Sequence, residues 1–162
     1  MKTRAGSLSA TQVARFCSVD LKTIHNWTNK GKIPSTRTAG RHLRFRPLDV
    51  VDFLRTYGIG IPESLAQLKL RVLVIDADVV ALAIARRVLA RRFDVATAGH
   101  VVDGLLLAAT ELPDVLVAGD VAPLDAITLG RRLATHASTR HVRVIPRGDA
   151  TRLREVLEGM TS

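Results

Sequence analysis

The rhythm of apolar positions changes near residue 70. Before it, apolar residues recur in short bursts at helical spacing: Val13, Ala14, Phe16 and Cys17, then Leu21, Ile24 and Trp27, then Val50, Val51, Phe53 and Leu54. Each burst predicts a helix with one buried face. Beyond it, compact apolar runs such as "RVLVIDAD", "FDVAT", "DVLVA" and "HVRVI" alternate with amphipathic stretches. Short apolar runs separated by helical patterns predict a parallel sheet covered on both faces. Between the two patterns, "TYGIGIPESLAQLKL" holds two glycines and a proline and reads as a linker with room for one helical turn.

Local signals sharpen the first part. Ser9-Ala-Thr-Gln12 has the form of a capping box and opens a first helix expected to end near Ser18. Asp20 can cap a second helix, which Gly31 ends at the C′ position. On that helix Leu21, Ile24 and Trp27 are expected to face the core, with Lys22, His25, Asn26, Asn29 and Lys30 opposite. Two short helices joined by a tight turn make a helix-turn-helix. "STRTAGRHLRF" then alternates around Gly40 and predicts a hairpin, and Pro47 fits the first position of a third helix.

Charge adds a direction. Residues 1 to 58 hold eleven Lys/Arg against three Asp/Glu, so they carry +8 of the chain's net +9. A compact module this basic points to a polyanion, and nucleic acid is the commonest. A solubilising basic face is the plainer alternative.

From Leu8 to Leu54 the chain resembles the winged helix-turn-helix of MerR-type regulators and excisionases. The resemblance rests on Val19 and Thr23 before Trp27, on Gly31-Lys-Ile-Pro34, on Gly40-Arg-His-Leu-Arg-Phe45, and on Asp49-Val50 before Phe53-Leu54. It departs at Leu43, where the family often has a further basic residue. By the family's geometry the second helix enters the major groove and the wing follows the backbone. Lys22, Thr23, His25, Asn26 and Lys30 are then the candidates on the helix. Asn26 is the best placed to read sequence, since Asn pairs with adenine through two hydrogen bonds. Arg37, Arg41, His42, Arg44 and Arg46 are the candidates on the wing, the arginines for phosphates.

In the second part four strand–helix units are expected. The first helix is read with a stripe of Val80, Ala81, Ile84, Ala85, Val88 and Leu89, and the third with Ile127, Gly130, Leu133 and Ala134. From Leu70 to about Met160 this segment resembles the receiver domain of response regulators. The resemblance implies a strand-end acidic pair for Mg²⁺, an acceptor aspartate after the third strand, a hydroxyl after the fourth and a lysine after a fifth. Here Asp76 takes the first acidic position and Ala77 the second, with Asp78 next along. Gly119 falls on the acceptor position, and Asp120 comes one residue late. Pro146 stands where the hydroxyl belongs, and no fifth strand follows. Asp76, Ala77, Asp78, Gly119 and Asp120 therefore outline a degenerate pocket. Phosphoryl transfer depends on positioning and charge neutralisation together, and so many losses should abolish it.

The expected architecture is two domains. A small winged helix-turn-helix spans 1–57, mostly α with a β-hairpin wing, and a linker spans 58–69. An α/β receiver-like (flavodoxin-like) domain of three layers, abbreviated to about four parallel strands, spans 70–162. Cys17 is the single cysteine, so no internal disulfide forms. No apolar run approaches the ~20 residues of a membrane span, and the N-terminus lacks the core of a signal peptide. A cytoplasmic, nucleoid-associated protein is expected, not an enzyme, with no cofactor and no metal; His136 and His141 lack ligand-spaced partners. The reading is a sequence-specific double-stranded DNA-binding regulator, homodimeric through its C-terminal domain or docking another protein there. Rivals are an excisionase-like or nucleoid architectural protein, a response regulator controlled through Asp120, and an adaptor that binds an acidic protein.

Overall fold

The computed structural model describes residues 7–148 and 150–160. The described residues divide into two compact units, one of 7–68 together with 158–160 and one of 69–148 and 150–157.

The first unit begins with a short strand, β1 (Leu8–Ser9), that the apolar pattern did not reveal. Helix α1 (Ala10–Cys17) follows, and its capping box is formed: Gln12 N–H donates to Ser9 Oγ, and Ser9 N–H donates to Gln12 Oε1 at 2.8 Å. Ser18 closes α1 in the left-handed region, and three residues later α2 (Leu21–Asn29) begins under the cap of Asp20. Gly31, at φ +69°, reverses the chain. Strands β2 (Thr36–Arg37) and β3 (Leu43–Phe45) form the hairpin, and β1 completes an antiparallel sheet in the order β1-β3-β2. In the turn the left-handed residue is Arg41, at φ +62°, not the glycine before it. Helix α3 (Pro47–Thr56) starts on proline as expected.

Val13, Ile24, Val50, Val51 and Leu54 are fully buried at the centre of this unit. Trp27 joins from α2, 5.1 Å from the Phe53 ring and stacked on Tyr57 at 6.4 Å. The expected stripe on α2 fails at one position: Leu21 is 46% exposed. With Ile24 central to the buried face, Leu21 falls at its rim. Residues 58–69, expected as linker, carry a single-turn helix, α4 (Glu63–Ala66). Leu65 is buried there, and Ile59, Ile61 and Leu68 pack on the core of the first unit.

The second unit runs β4 (Arg71–Ile75), α5 (Val79–Leu89), β5 (Asp94–Ala98), α6 (Val101–Glu111), β6 (Val115–Ala118), α7 (Ala126–Ala134), β7 (Arg143–Pro146) and α8 (Ala150–Gly159), of which the part through Leu157 belongs to this unit. The four strands are parallel, in the order β5-β4-β6-β7. This is the parallel α/β sheet that the strand–helix alternation predicts. Both faces of β4 are buried. Leu73 and Ile75 point into the core formed with α6 and α7, and the alternate residues Val72 and Val74 are equally enclosed. Gly104 lets α6 approach closely, because a Cβ there would collide with the Ile75 side chain.

Two expected stripes are narrower than read. On α5 Ala81, Ala85 and Leu89 are buried, while Val80 is 66% and Ile84 48% exposed. On α7 Leu129 and Leu133 are buried, Gly130 faces Val144, and Ile127 and Ala134 are exposed. On α5 the small residues Ala81 and Ala85 face the strands, so only a thin strip of that helix is covered; on α7 the covered strip is centred on Leu129 and Leu133 instead.

Candidate nucleic-acid interface and the receiver-like pocket

In the first unit Asp20 fixes the start of α2. Its Oδ1 accepts the Thr23 N–H at 2.6 Å, and this bond, with a second from the Thr23 side chain, holds the carboxyl below its ordinary value of 3.8. Thr23 is thus partly committed to the cap. Lys22, Asn26, Asn29 and Lys30 are exposed along the outer side of α2, and His25 is half-buried beside them.

On the wing Arg37, Arg41 and His42 are exposed. The Arg37 guanidinium donates to the Arg41 carbonyl at 3.0 Å, and the Thr38 hydroxyl accepts the His42 N–H at 3.2 Å, so the turn is internally braced. Along β3 the alternation is strict: Leu43 and Phe45 point into the core, and Arg44 lies on the other side, half-buried, bonded to the Leu43 carbonyl at 3.0 Å. Leu43, where the resemblance leads one to expect a basic residue, is a core residue here. Arg46 is half-buried at the N-cap of α3 and engaged within the protein. Lys32 was missed in the sequence: exposed between α2 and the wing, it places Nζ 5.5 Å from the Tyr57 ring centre. Its signal was the motif Gly31-Lys-Ile-Pro34, which sets it just past the end of the helix.

In the second unit the strand ends bring four residues into one row. Asp76 N–H donates to Ala98 O, Gly119 N–H to Ile75 O, and Arg147 N–H to Ala118 O, so Gly99, Asp76, Gly119 and Arg147 stand side by side. Asp76 is fully buried. Its Oδ1 accepts the Asp78 N–H at 2.8 Å, and its Oδ2 meets Arg147 Nε, also at 2.8 Å. Arg147 stands two strands away from Asp76, a lateral distance of roughly 10 Å. It can reach across because Gly119 between them has no side chain. A Cβ added at Gly119 would fall within the Asp76 carboxylate.

The remaining candidates do not converge there. Asp78 turns to the N-terminus of α5, where it accepts the N–H groups of Val80 and Ala81 at 2.9 and 3.2 Å. Ala77 is exposed and bonded through its backbone to the Asp120 carbonyl. Asp120 is exposed, and its carboxylate accepts the Ala122 N–H at 3.3 Å. A magnesium ion of the kind that receivers use does not fit these residues: one carboxylate points inward, its outer oxygen faces a guanidinium, and Ala77 and Gly119 offer no side-chain ligand. Arg147 follows Pro146 directly and carries no local motif of its own. The available signal was that a buried Asp76 without a metal needs some cation at the same rim.

Residues 7–57 match a family model described as a helix-turn-helix domain. The chain is also similar to the crystal structure of a response regulator from Desulfuromonas acetoxidans, at 20% identity over 56% of this chain and 77% of that chain, with a TM-score of 0.42. The curated proteins yielded no match. No helix among the described residues is long and apolar enough to cross a membrane.

Proposed function

We propose that this chain is a sequence-specific double-stranded DNA-binding regulator of transcription. Its winged helix-turn-helix of MerR type, residues 1–57, binds the duplex, and its receiver-like domain, residues 70–162, works without phosphorylation and pairs two copies. The observation that carries this reading is the polar outer side of α2, with Lys22, His25, Asn26 and Lys30, set beside a wing that presents Arg37, Arg41, His42 and Arg44. Asn26 reads bases, and the wing arginines hold phosphates.

Independence from phosphorylation is supported by the Asp76–Arg147 pair, which fills the pocket with the protein's own charges. Pairing is supported by where most of the large exposed apolar side chains lie: Val79, Val80, Ile84, Val102, Leu106 and Ile127 are in the second unit, against Leu21 and Tyr57 in the first. β7 is an open edge of the same sheet, and edges of this kind are usually covered or blocked. Linking two helix-turn-helix modules raises affinity by about 10²–10⁴ when both half-sites engage at once.

Genome-wide occupancy of the full chain is the test. Few strong sites sharing a short motif are expected of a regulator. Broad coverage without a motif would favour an architectural protein, and no enrichment of DNA at all would refute the reading.

A further inference from the structure

We infer that Leu21 is a specificity-determining residue of the DNA interface, reading thymine through its 5-methyl group. This rests on the DNA-binding reading above and names a contact that the polar residues of α2 cannot make. Leu21 is the first residue of α2 and is 46% exposed, whereas Ile24 is fully buried and Trp27 packs on the core. Its neighbours on the outer side, Lys22, His25 and Asn26, are all polar. The N-terminal residues of a recognition helix are the ones that approach base edges.

The same end of α2 is poorly suited to a phosphate. Its free N–H groups would ordinarily attract an anion, but Asp20 already takes that of Thr23, with Oδ1 2.6 Å from the Thr23 N. Its negative charge also repels a phosphate. A base edge is therefore the favourable neighbour for this end of the helix. Leu21 offers no hydrogen bond, and in the major groove the apolar feature of a base edge is the thymine methyl. Leu21 lies five residues before Asn26, about 7.5 Å along the helix axis. The thymine should thus lie within a few base pairs of any adenine that Asn26 reads.

The test uses the full chain and duplexes selected by it from a random library. Each thymine of the selected site is replaced in turn by deoxyuridine, which removes the methyl and leaves every hydrogen-bonding group. The wild type should lose about fourfold in affinity at one position per half-site, the equivalent of about 0.8 kcal/mol for one buried carbon. Leu21→Ala should bind thymine and uracil duplexes equally, and Leu21→Met, which keeps an apolar reach, should restore the difference. Thermal melts of both variants establish that they are folded. A uracil penalty that persists in Leu21→Ala, or one absent at every position in the wild type, would overturn the proposal while leaving DNA binding intact. Failure of the wild type to select any duplex would overturn the DNA-binding reading, and this proposal with it.

Discussion

Arg147→Met tests what the charge pair at the rim of the sheet contributes. At 2.8 Å the Coulomb attraction is about 6 kcal/mol for an effective permittivity near 20. Most of that is offset by taking Asp76, which is fully buried, out of water. Exposed pairs contribute roughly 0.2–1 kcal/mol, and breaking a fully buried pair costs roughly 3–5 kcal/mol. Arg147 retains 34% of its side-chain exposure, so water can enter when it is removed and the loss should be about 2 kcal/mol. Asp76→Asn keeps the acceptor for Asp78 N–H and removes the charge, so in that background Arg147→Met should cost little. The resulting coupling should be about 1–2 kcal/mol. Trp27 and Tyr57, the chain's single tryptophan and single tyrosine, both lie in the first unit, so their fluorescence does not report the second. Calorimetry, or hydrogen exchange resolved over residues 71–147, is the appropriate assay; about 4–8 °C in Tm per kcal/mol is expected for a domain of this size. An equal cost of Arg147→Met with and without Asp76→Asn would refute the argument.

Four further outcomes are expected. Arg41→Ala should weaken binding to every duplex and flatten the salt dependence by roughly one unit, whereas Asn26→Ala should relax discrimination at one base by about 1–3 kcal/mol; affinity unchanged between low and high salt would contradict both. Incubation with a small phosphodonor and Mg²⁺ should add no phosphate by intact mass, and a phosphorylated species lost in Asp120→Asn would return control to that residue. The Asp20 and Asp125 carboxyls are both held below 3.8, chiefly by backbone bonds from Thr23 and Thr128, so their caps stabilise fully above that pH and fade as pH falls through the depressed values. Asp20→Ala should therefore lower Tm at neutral pH, with the gap to wild type closing in acid; a gap independent of pH would count against it. Light scattering should give about twice the 17.6 kDa chain mass, and Ile127→Lys on α7, at a side chain 69% exposed, should halve it without unfolding the protein; a wild-type monomer at tens of micromolar would refute pairing.

What could be read in the sequence was what is encoded locally. The Ser9–Gln12 box, the Asp20 cap, the Gly31 reversal and the Pro47 start each need a few adjacent residues, and each stands where expected. The strand–helix alternation carried the parallel sheet in the same way. Spacing did not reveal how wide a strip of each helix would be covered. A helical period marks Val80, Ile84 and Ile127 as apolar positions, but Ala81, Ala85 and Leu129 take the buried places, and spacing alone does not say which side of an apolar stripe meets the sheet. Leu21 likewise falls at the rim of the face centred on Ile24, outside the core that the period alone implies. β1 escaped because two residues carry no period; it is defined by pairing with Phe45 and Arg44 far along the chain. Arg147 escaped because its partner sits on a strand two places away and the space between them is set by a third residue, Gly119.

On the proposed reading, that three-residue dependence also limits what could make the pocket a switch. Gly119→Asp would return a carboxylate to the acceptor position, but its Cβ would collide with Asp76, and two carboxylates would share one guanidinium. Removing Arg147 as well would leave two like charges at a rim where Ala77 supplies no ligand to help a metal offset them. Each reversal worsens the packing or the electrostatics unless the others accompany it. On that reading, a domain held in this way offers a phosphodonor nothing that favours one conformation over another, and without differential binding an input at this pocket shifts no population. On the proposed reading its contribution to DNA affinity is constant, set by pairing alone. Occupancy of the target sites would then follow the amount of protein or the arrival of a partner, and mutations that lock or empty the pocket should change stability while leaving DNA specificity untouched.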